Sequence, residues 1–298
     1  VFVISSNIQM SIQEFPPLGF GSWKSEPGKV GDAITIALKA GYRHIDCAAL
    51  YGNEAEIGKA FADAFKNGIV KREELWVTSK LWNTDWHDVE SAVKKTLKDL
   101  QLEYLDLYLV HTPASWKPQD DGAMWKMDEN GQAIMGTTSV QQMWQQMEKL
   151  VDQGLVKRIG VSNFPCILIH DMFCYARIKP FAQQIEVHPY FQQEKNAKYC
   201  VSKGLAITAY SPLGNGKGEG PLNDDVVKKI AKEIGASAGQ VLIAYSLAKG
   251  YTVIPKSTNE KRIKENFESL QFKDKLTADH LKQLDALEKG LRTCDLAE

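Results

Sequence analysis

The chain has 298 residues, of which 44% are hydrophobic and 24% charged, and its formal net charge is -1 at pH 7. These values are ordinary for a globular protein with a large core, and the balanced charge gives no sign of a nucleic-acid or anionic-membrane partner. No run approaches the ~18 apolar residues of a membrane helix, and residues 1–10 lack the pattern of a signal peptide.

Short apolar runs, which are typical of buried strands, alternate along the chain with amphipathic stretches that are typical of helices. The runs predict eight strands, at 18–22, 43–47, 75–80, 105–111, 158–162, 181–187, 205–210 and 252–254. The amphipathic stretches predict nine helices, at 29–40, 53–67, 87–100, 140–151, 165–177, 194–203, 224–234, 238–249 and 259–267.

Regular alternation of strand and helix predicts a parallel sheet. Eight such units favour a closed (β/α)8 TIM barrel over an open, doubly wound sheet, and no Pro/Gly/Ser-rich linker divides the chain. We therefore expect a single barrel domain over residues 1–298. Residues 112–138 and the glycine-rich segment 211–222 predict long loops at the C-terminal face of the barrel. Long loops in compact domains are usually functional.

Polar side chains stand where several predicted strands end, and in a (β/α)8 barrel the chemistry lies at those ends. Asp46 is near the end of the second strand and five residues before Tyr51, while Lys80 and His111 end the third and fourth strands. The later strands end with Ser162, Asn163, Gln184, Glu186, Tyr210, Ser211, Lys256 and Ser257.

Asp46, Tyr51, Lys80 and His111 suit the reduction of a carbonyl group. The reaction needs a hydride, which only a nicotinamide cofactor supplies here, and an acid for the oxygen. Tyr51 is protonated at neutral pH and can give its proton to a developing alkoxide. Lys80 would stabilise the resulting tyrosinate, Asp46 would hold Lys80, and a neutral His111 would orient the carbonyl oxygen.

Other chemistries find less support in the sequence. HExxH is absent, the six histidines are scattered, and no GxSxG or GxGxxG occurs. The five cysteines are widely spaced without a CxxC, which indicates reduced thiols in a cytoplasmic protein rather than a disulfide framework or a metal site. A hydrolytic or isomerase barrel would need a carboxylate base, for which Glu186 is the one loose candidate and lacks a catalytic partner.

Four long segments resemble the aldo-keto reductase family, and aldose, aldehyde and xylose reductases within it. They are GYRHIDCAALYGNEAEIGKA (41–60), LVHTP (109–113), GLVKRIGVSNF (154–164) and IPKSTNEKRIKEN (254–266). The resemblance spans nearly the whole chain and implies NADPH-dependent reduction of aldehydes, ketones and aldose sugars. The family's catalytic tetrad maps onto Asp46, Tyr51, Lys80 and His111.

The resemblance also implies where cofactor and substrate bind. It implies that NADPH contacts Trp23, Asp46, Ser162, Asn163, Gln184, Tyr210, Ser211, Leu213, Lys256, Ser257, Thr258, Arg262, Glu265 and Asn266. Within this set, Tyr210 would stack on the nicotinamide, whereas Lys256 and Arg262 would hold the 2′-phosphate. Trp23 and Trp82 would form pocket walls, with Trp116 or Trp125 covering the pocket from the long loop.

The chain departs from the family pattern near the expected pocket. Thr112 stands where aldose reductase-like members often have tryptophan, the 211–222 loop is short, and the chain stops soon after residues 291–294. These departures predict a more open pocket. The alternative to an active reductase is a cofactor-binding regulatory or structural protein with vestigial catalysis. For either, we expect a monomer that takes a small carbonyl compound, without a metal, a nucleic acid or a membrane.

Overall fold

A computed structural model describes residues 14–118, 125–214 and 220–294. Within these ranges, eight strands follow one another in sequence and in space. They are β1 (Phe20–Gly21), β2 (His44–Asp46), β3 (Trp76–Leu81), β4 (Leu107–Val110), β5 (Ile159–Ser162), β6 (Ala182–Glu186), β7 (Ala206–Tyr210) and β8 (Thr252–Val253).

Ten α-helices occur in the described part of the chain, mostly between successive strands. They are α1 (Val30–Ala40), α2 (Glu54–Lys66), α3 (Val89–Leu100), α4 (Val140–Asp152), α5 (Cys166–Tyr175), α6 (Glu194–Ser202), α7 (Asp225–Ile234), α8 (Ala238–Ala248), α9 (Glu260–Glu268) and α10 (Ala278–Asp285). Several begin with side-chain caps: in α4, Ser139 and Gln142 satisfy each other's backbone N–H groups in a capping box.

Every strand pairs in parallel with its neighbour, as the alternating pattern predicts. For example, Ile45 pairs with Val77, and Gln184 pairs with Thr208. The last strand returns to the first, because Gly19 N–H donates to the Val253 carbonyl at 2.8 Å and Gly21 N–H donates to the Pro255 carbonyl at 3.0 Å. The eight-stranded parallel sheet of the prediction is therefore confirmed, and these bonds close it.

Two local predictions differ from the structure. The first strand is shorter than 18–22, because Leu18 and the Gly19 N–H pair with Val253 of β8 rather than with β2. The helix α10 is an element that the sequence prediction lacks. A reciprocal cap between Thr277 and His280 starts it, and Leu284 is its fully buried residue.

Packing seals one end of the barrel and leaves the other open. Phe15 packs at ring distances of 4.7 and 5.5 Å against Trp76 and Phe181, over Leu107 and Leu109 inside the barrel. A much larger apolar cluster fills the space between the strands and the surrounding helices. The carboxyl ends of the strands thus meet at an open mouth. No helix among the described residues is long and apolar enough to cross a membrane.

Candidate active site

A cavity of about 730 Å³ opens at the carboxyl ends of the strands. Most of the predicted site residues line it. These are Trp23, Asp46, Tyr51, Trp82, His111, Trp116, Ser162, Asn163, Gln184, Tyr210, Ser211, Leu213, Lys256, Ser257, Thr258, Arg262 and Asn266. Two predicted residues are not part of the lining: Lys80 lies behind Tyr51, and Glu265 lies beside Asn266 with its carbonyl bonded to Gln240.

A buried ion pair supports Tyr51 from behind. Lys80 is completely buried, and its Nζ donates to Asp46 Oδ1 at 2.5 Å, to the Cys47 carbonyl at 2.8 Å and to the Tyr51 hydroxyl at 3.2 Å. The three donors of the ammonium are thereby used, which fixes its position. The 3-10 turn Ala49–Tyr51 after β2 carries the tyrosine back over the strand end.

Burial and charge act in opposite directions on these groups. Burial raises the pKa of Tyr51 to about 12, although the Lys80 ammonium beside it works to lower that pKa. Burial also disfavours the charged form of Lys80, but the adjacent Asp46 carboxylate and the Tyr51 hydroxyl outweigh it, so the pKa of Lys80 lies above its ordinary value. The tyrosine is thus protonated and the lysine charged at neutral pH.

His111 faces Tyr51 across the cavity floor. Their ring centroids are 5.8 Å apart with an interplanar angle of 78°. Burial, with a smaller contribution from the Lys80 charge, holds the pKa of His111 well below its ordinary value, so the ring is neutral. Its Nδ1 is buried without a partner among the described residues, which favours the tautomer that carries the proton on Nε2.

A second hydrogen-bonded group joins β5, β6 and β7 beside the tetrad. Asn163 Nδ2 donates to the His111 carbonyl at 3.0 Å, and Asn163 Oδ1 accepts from the Tyr210 hydroxyl at 2.9 Å. Gln184 Nε2 donates to Asp46 Oδ2 at 2.8 Å. Asn163 adopts a left-handed φ of 62°, which asparagine tolerates better than most residues. The group thus ties the predicted amide-binding residues to the side of the cavity that holds Asp46 and His111.

Cationic side chains lie at the far end of the cavity. Lys256 follows β8, and its Nζ donates to the Lys24 carbonyl at 2.8 Å. Arg262 is exposed in the first turn of α9, where Asn259 caps the helix through the Arg262 N–H at 3.1 Å. Two cations beside a helix N-terminus form an arrangement that can bind an anion.

Aromatic side chains form one wall of the cavity. The Trp82 ring lies 5.2 Å from the His111 ring and 5.3 Å from the Trp116 ring, with Trp125 5.5 Å from Trp116. Trp116 and Trp125 both come from the segment between β4 and α4, and both line the cavity. The sequence predicts that one or the other covers the pocket, and the structure places both at the cavity.

Some residues that line the cavity are not predicted as site residues by the sequence. Leu50, Ile254 and Cys294 line the cavity. Leu50 and Ile254 are apolar residues that follow strands, and Cys294 lies in the C-terminal segment; none of them carries a signal that separates it from core. The structure gives Glu186 a different role from that of the loose candidate base in the sequence. Its carboxylate accepts from Thr293 N–H at 2.7 Å, from Cys294 N–H at 3.2 Å and from His188 at 3.0 Å. It therefore anchors the C-terminal segment to β6 and is not positioned as a base.

The described residues contain no cluster of three or more histidine, cysteine, aspartate or glutamate side chains arranged to hold a metal ion. What the cavity can do chemically rests on the tyrosine hydroxyl, the neutral imidazole and the distant cations. A proton donor with a charged lysine behind it can protonate a substrate oxygen, and the cations can bind a phosphate.

The chain is similar over most of its length to known proteins of one family. The model of the Aldo/keto reductase family matches residues 17–289. Aldose reductase B of Dictyostelium discoideum is 42% identical over 289 residues, which cover 95% of this chain and 92% of that protein. NADP-dependent D-sorbitol-6-phosphate dehydrogenase of Malus domestica is 40% identical, covering 94% and 93%. The solved aldose reductase of Schistosoma japonicum superposes with a TM-score of 0.88 at 43% identity, covering 93% and 90%.

Proposed function

The chain belongs to the aldo/keto reductase family, and from that premise we propose that it reduces aldehydes and ketones, aldose sugars among them, with NADPH and with Tyr51 as the acid. The geometry around the Tyr51 hydroxyl is the main support for this function. The buried Asp46–Lys80 pair ends on the Tyr51 hydroxyl, and that hydroxyl lies at the cavity opposite His111.

Tyr51 donates its proton to the carbonyl oxygen of the substrate. With its pKa raised to about 12, it carries that proton at neutral pH. The Lys80 ammonium, 3.2 Å from the hydroxyl, stabilises the negative charge that the tyrosine acquires as the proton leaves. Asp46 keeps the ammonium charged and in place, so the pair contributes most when the charge on Tyr51 develops.

His111 orients the substrate rather than protonating it. Its neutral ring, with the proton on Nε2, donates a hydrogen bond to the carbonyl oxygen that Tyr51 protonates. Two donors on one oxygen fix its direction and polarise the C=O bond. The Asn163 bond to the His111 carbonyl holds this part of the backbone in place.

The residues of the cavity fit NADPH, which supplies the hydride when bound. Amide and hydroxyl groups of Ser162, Asn163 and Gln184 match the hydrogen-bonding needs of a carboxamide, and the Tyr210 ring offers a face for stacking. Lys256 and Arg262 at the opposite end match a phosphate. The relative named as an NADP-dependent dehydrogenase supports the choice of this nucleotide. Trp23, Asp46, Ser211, Leu213, Ser257, Thr258, Glu265 and Asn266 complete the proposed binding set.

The substrate takes the remaining space, walled by Trp23, Trp82 and Trp116. We assign to the long loops after β4 and β7 the role of shaping this space at the C-terminal face. We further take residues 1–298 as one domain that acts as a monomer. The five cysteines are all free thiols, which supports a cytoplasmic setting.

The direct test is NADPH oxidation by the purified protein with a panel of aldehydes, aldose sugars and ketones, repeated with NADH. We expect turnover with NADPH, faster than with NADH. Tight NADPH binding without turnover of any carbonyl compound would refute the reductase and leave the regulatory or structural alternative. Equal use of NADH would refute the assigned cofactor preference alone.

A further inference from the structure

The left-handed conformation of Asn163 needs support from the backbone on both sides of it. Asn163 has a φ of 62°, and a residue other than glycine keeps such a conformation only where the surrounding contacts hold it. On the N-terminal side, the Asn163 N–H and the Ser162 hydroxyl both donate to the Gln184 carbonyl, at 2.9 and 3.0 Å. The place of the Asn163 side chain at the cavity therefore also depends on what holds the backbone that follows.

Two amide side chains hold the backbone on the C-terminal side. The Phe164 carbonyl accepts from Gln183 Nε2 at 2.6 Å and from Asn196 Nδ2 at 3.1 Å. Gln183 belongs to β6 and Asn196 to the first turn of α6, and neither is among the described residues that line the cavity. Both lone pairs of the Phe164 oxygen are thus used, which fixes the backbone one residue after Asn163.

The groups around Asn196 fix which end of its amide faces Phe164. A backbone carbonyl can only accept, so the amide nitrogen must face the Phe164 oxygen. On the other side, the thiols of Cys166 and Cys200 each donate to Asn196 Oδ1 at 3.5 Å. Cys166 begins α5 and Cys200 lies in α6. Asn196 therefore joins these two helices to the backbone that follows β5.

We propose that Asn196 is a positioning residue for the nicotinamide end of NADPH, and that it acts through the Phe164 carbonyl on Asn163. This inference rests on the cofactor proposed above. The Asn163 amide donates to the His111 carbonyl at 3.0 Å and accepts from the Tyr210 hydroxyl at 2.9 Å. A shift of Asn163 therefore disturbs the groups proposed to meet the nicotinamide, whereas the cations proposed for the 2′-phosphate stand on other elements, after β8 and in α9.

Replacement of Asn196 by aspartate tests this role with almost no change in shape. Aspartate keeps an acceptor for the two thiols, but it has no N–H for the Phe164 carbonyl and places a charged oxygen against it. Calorimetric titration measures the binding of NADPH and of adenosine 2′,5′-bisphosphate, which carries the 2′-phosphate but has no nicotinamide. The second ligand reports on the cationic end of the cavity, so the two affinities together separate a local effect from general damage to the fold.

We expect Asn196→Asp to weaken NADPH binding about fivefold and to leave the affinity for adenosine 2′,5′-bisphosphate within about twofold of the wild type. Asn67→Asp is the matched control, because Asn67 Nδ2 also donates to a backbone carbonyl, that of Asp63 at 2.8 Å, but at the exposed C-terminal end of α2. This control variant should change neither affinity.

Asn196→Ala removes the amide without adding a charge, and it replaces the aspartate variant if that variant does not fold. The same selective loss of NADPH affinity is expected. Equal losses for the two ligands, or no loss for either, would overturn the inference and leave the cofactor assignment standing. Failure of the wild type to bind NADPH would instead contradict the proposed cofactor, and this inference with it.

Discussion

The buried carboxyl group of Glu54 makes the stability of the fold depend on pH. The side chain is 4% exposed at the start of α2, and its oxygens accept from Ser79 Oγ at 2.6 Å and Thr96 Oγ1 at 3.1 Å. Burial raises its pKa to about 7 from an ordinary 4.5, against the effect of the two hydroxyl donors. The fold therefore prefers the protonated acid more strongly than the unfolded chain does.

The direction of the pH effect follows from this difference. Glu54 contributes its full stability below pH 4.5, where both states are protonated, and the contribution is lost as the pH rises towards and through about 7. At about 1.4 kcal/mol per pH unit, ionisation of this group lowers the free energy of unfolding by about 3 kcal/mol at about pH 8. Glutamine has nearly the same shape and cannot ionise.

Urea denaturation of the wild type and of Glu54→Gln at about pH 5 and about pH 8 measures this difference. We expect the stability of the variant relative to the wild type to rise by about 2–3 kcal/mol between the two pH values, because part of the effect is already present at about pH 5. Glu268→Gln, at an exposed position on α9, is the matched control and should show little change. A relative stability of Glu54→Gln that does not depend on pH would show that Glu54 binds its proton equally well in the folded and the unfolded chain.

Two further variants test the cofactor end of the cavity and the sealed end of the barrel. The double variant Lys256→Met, Arg262→Met should weaken NADPH binding at least about tenfold more than NADH binding, because the 2′-phosphate loses both cations. Calorimetric titrations measure both affinities. Equal losses would show that the two residues do not bind this phosphate. Burial, aided by the Lys80 charge, lowers the pKa of His44 to about 3, so its contribution to stability is present above pH 6.5 and is lost as the pH falls. In urea denaturation from about pH 6 to about pH 4, the wild type should lose up to about 1.4 kcal/mol more per pH unit than His44→Gln, and parallel losses would contradict this.

The order of the strands was predictable because buried parallel strands appear in the sequence as continuous apolar runs. The same topology made the tetrad predictable: the residues that end successive strands must meet at one mouth. Asp46, Lys80 and His111 lie far apart in the chain, yet each stands at or next to the end of an apolar run. Tyr51 follows the second strand after a short turn, so its place at the mouth was predictable as well.

Contacts between distant segments were not predictable from the residues alone. Gln184 bonds to Asp46 across 138 positions, and Glu186 bonds to Thr293 across 107. Neither pair leaves a periodic pattern, since one side chain gives no indication of its partner. The pairing of Leu18 with β8 rather than with β2 is of the same kind, and it shortened the first strand relative to its apolar run.

Tyr51→Phe asks whether Tyr51 supplies the proton to the carbonyl oxygen. The variant keeps the ring and removes the hydroxyl on which the Asp46–Lys80 pair ends. NADPH binding, followed by quenching of protein fluorescence, should stay within about threefold of the wild type, while NADPH oxidation with an aldehyde substrate should fall at least about a hundredfold. Turnover at the wild-type rate would show that another group donates the proton.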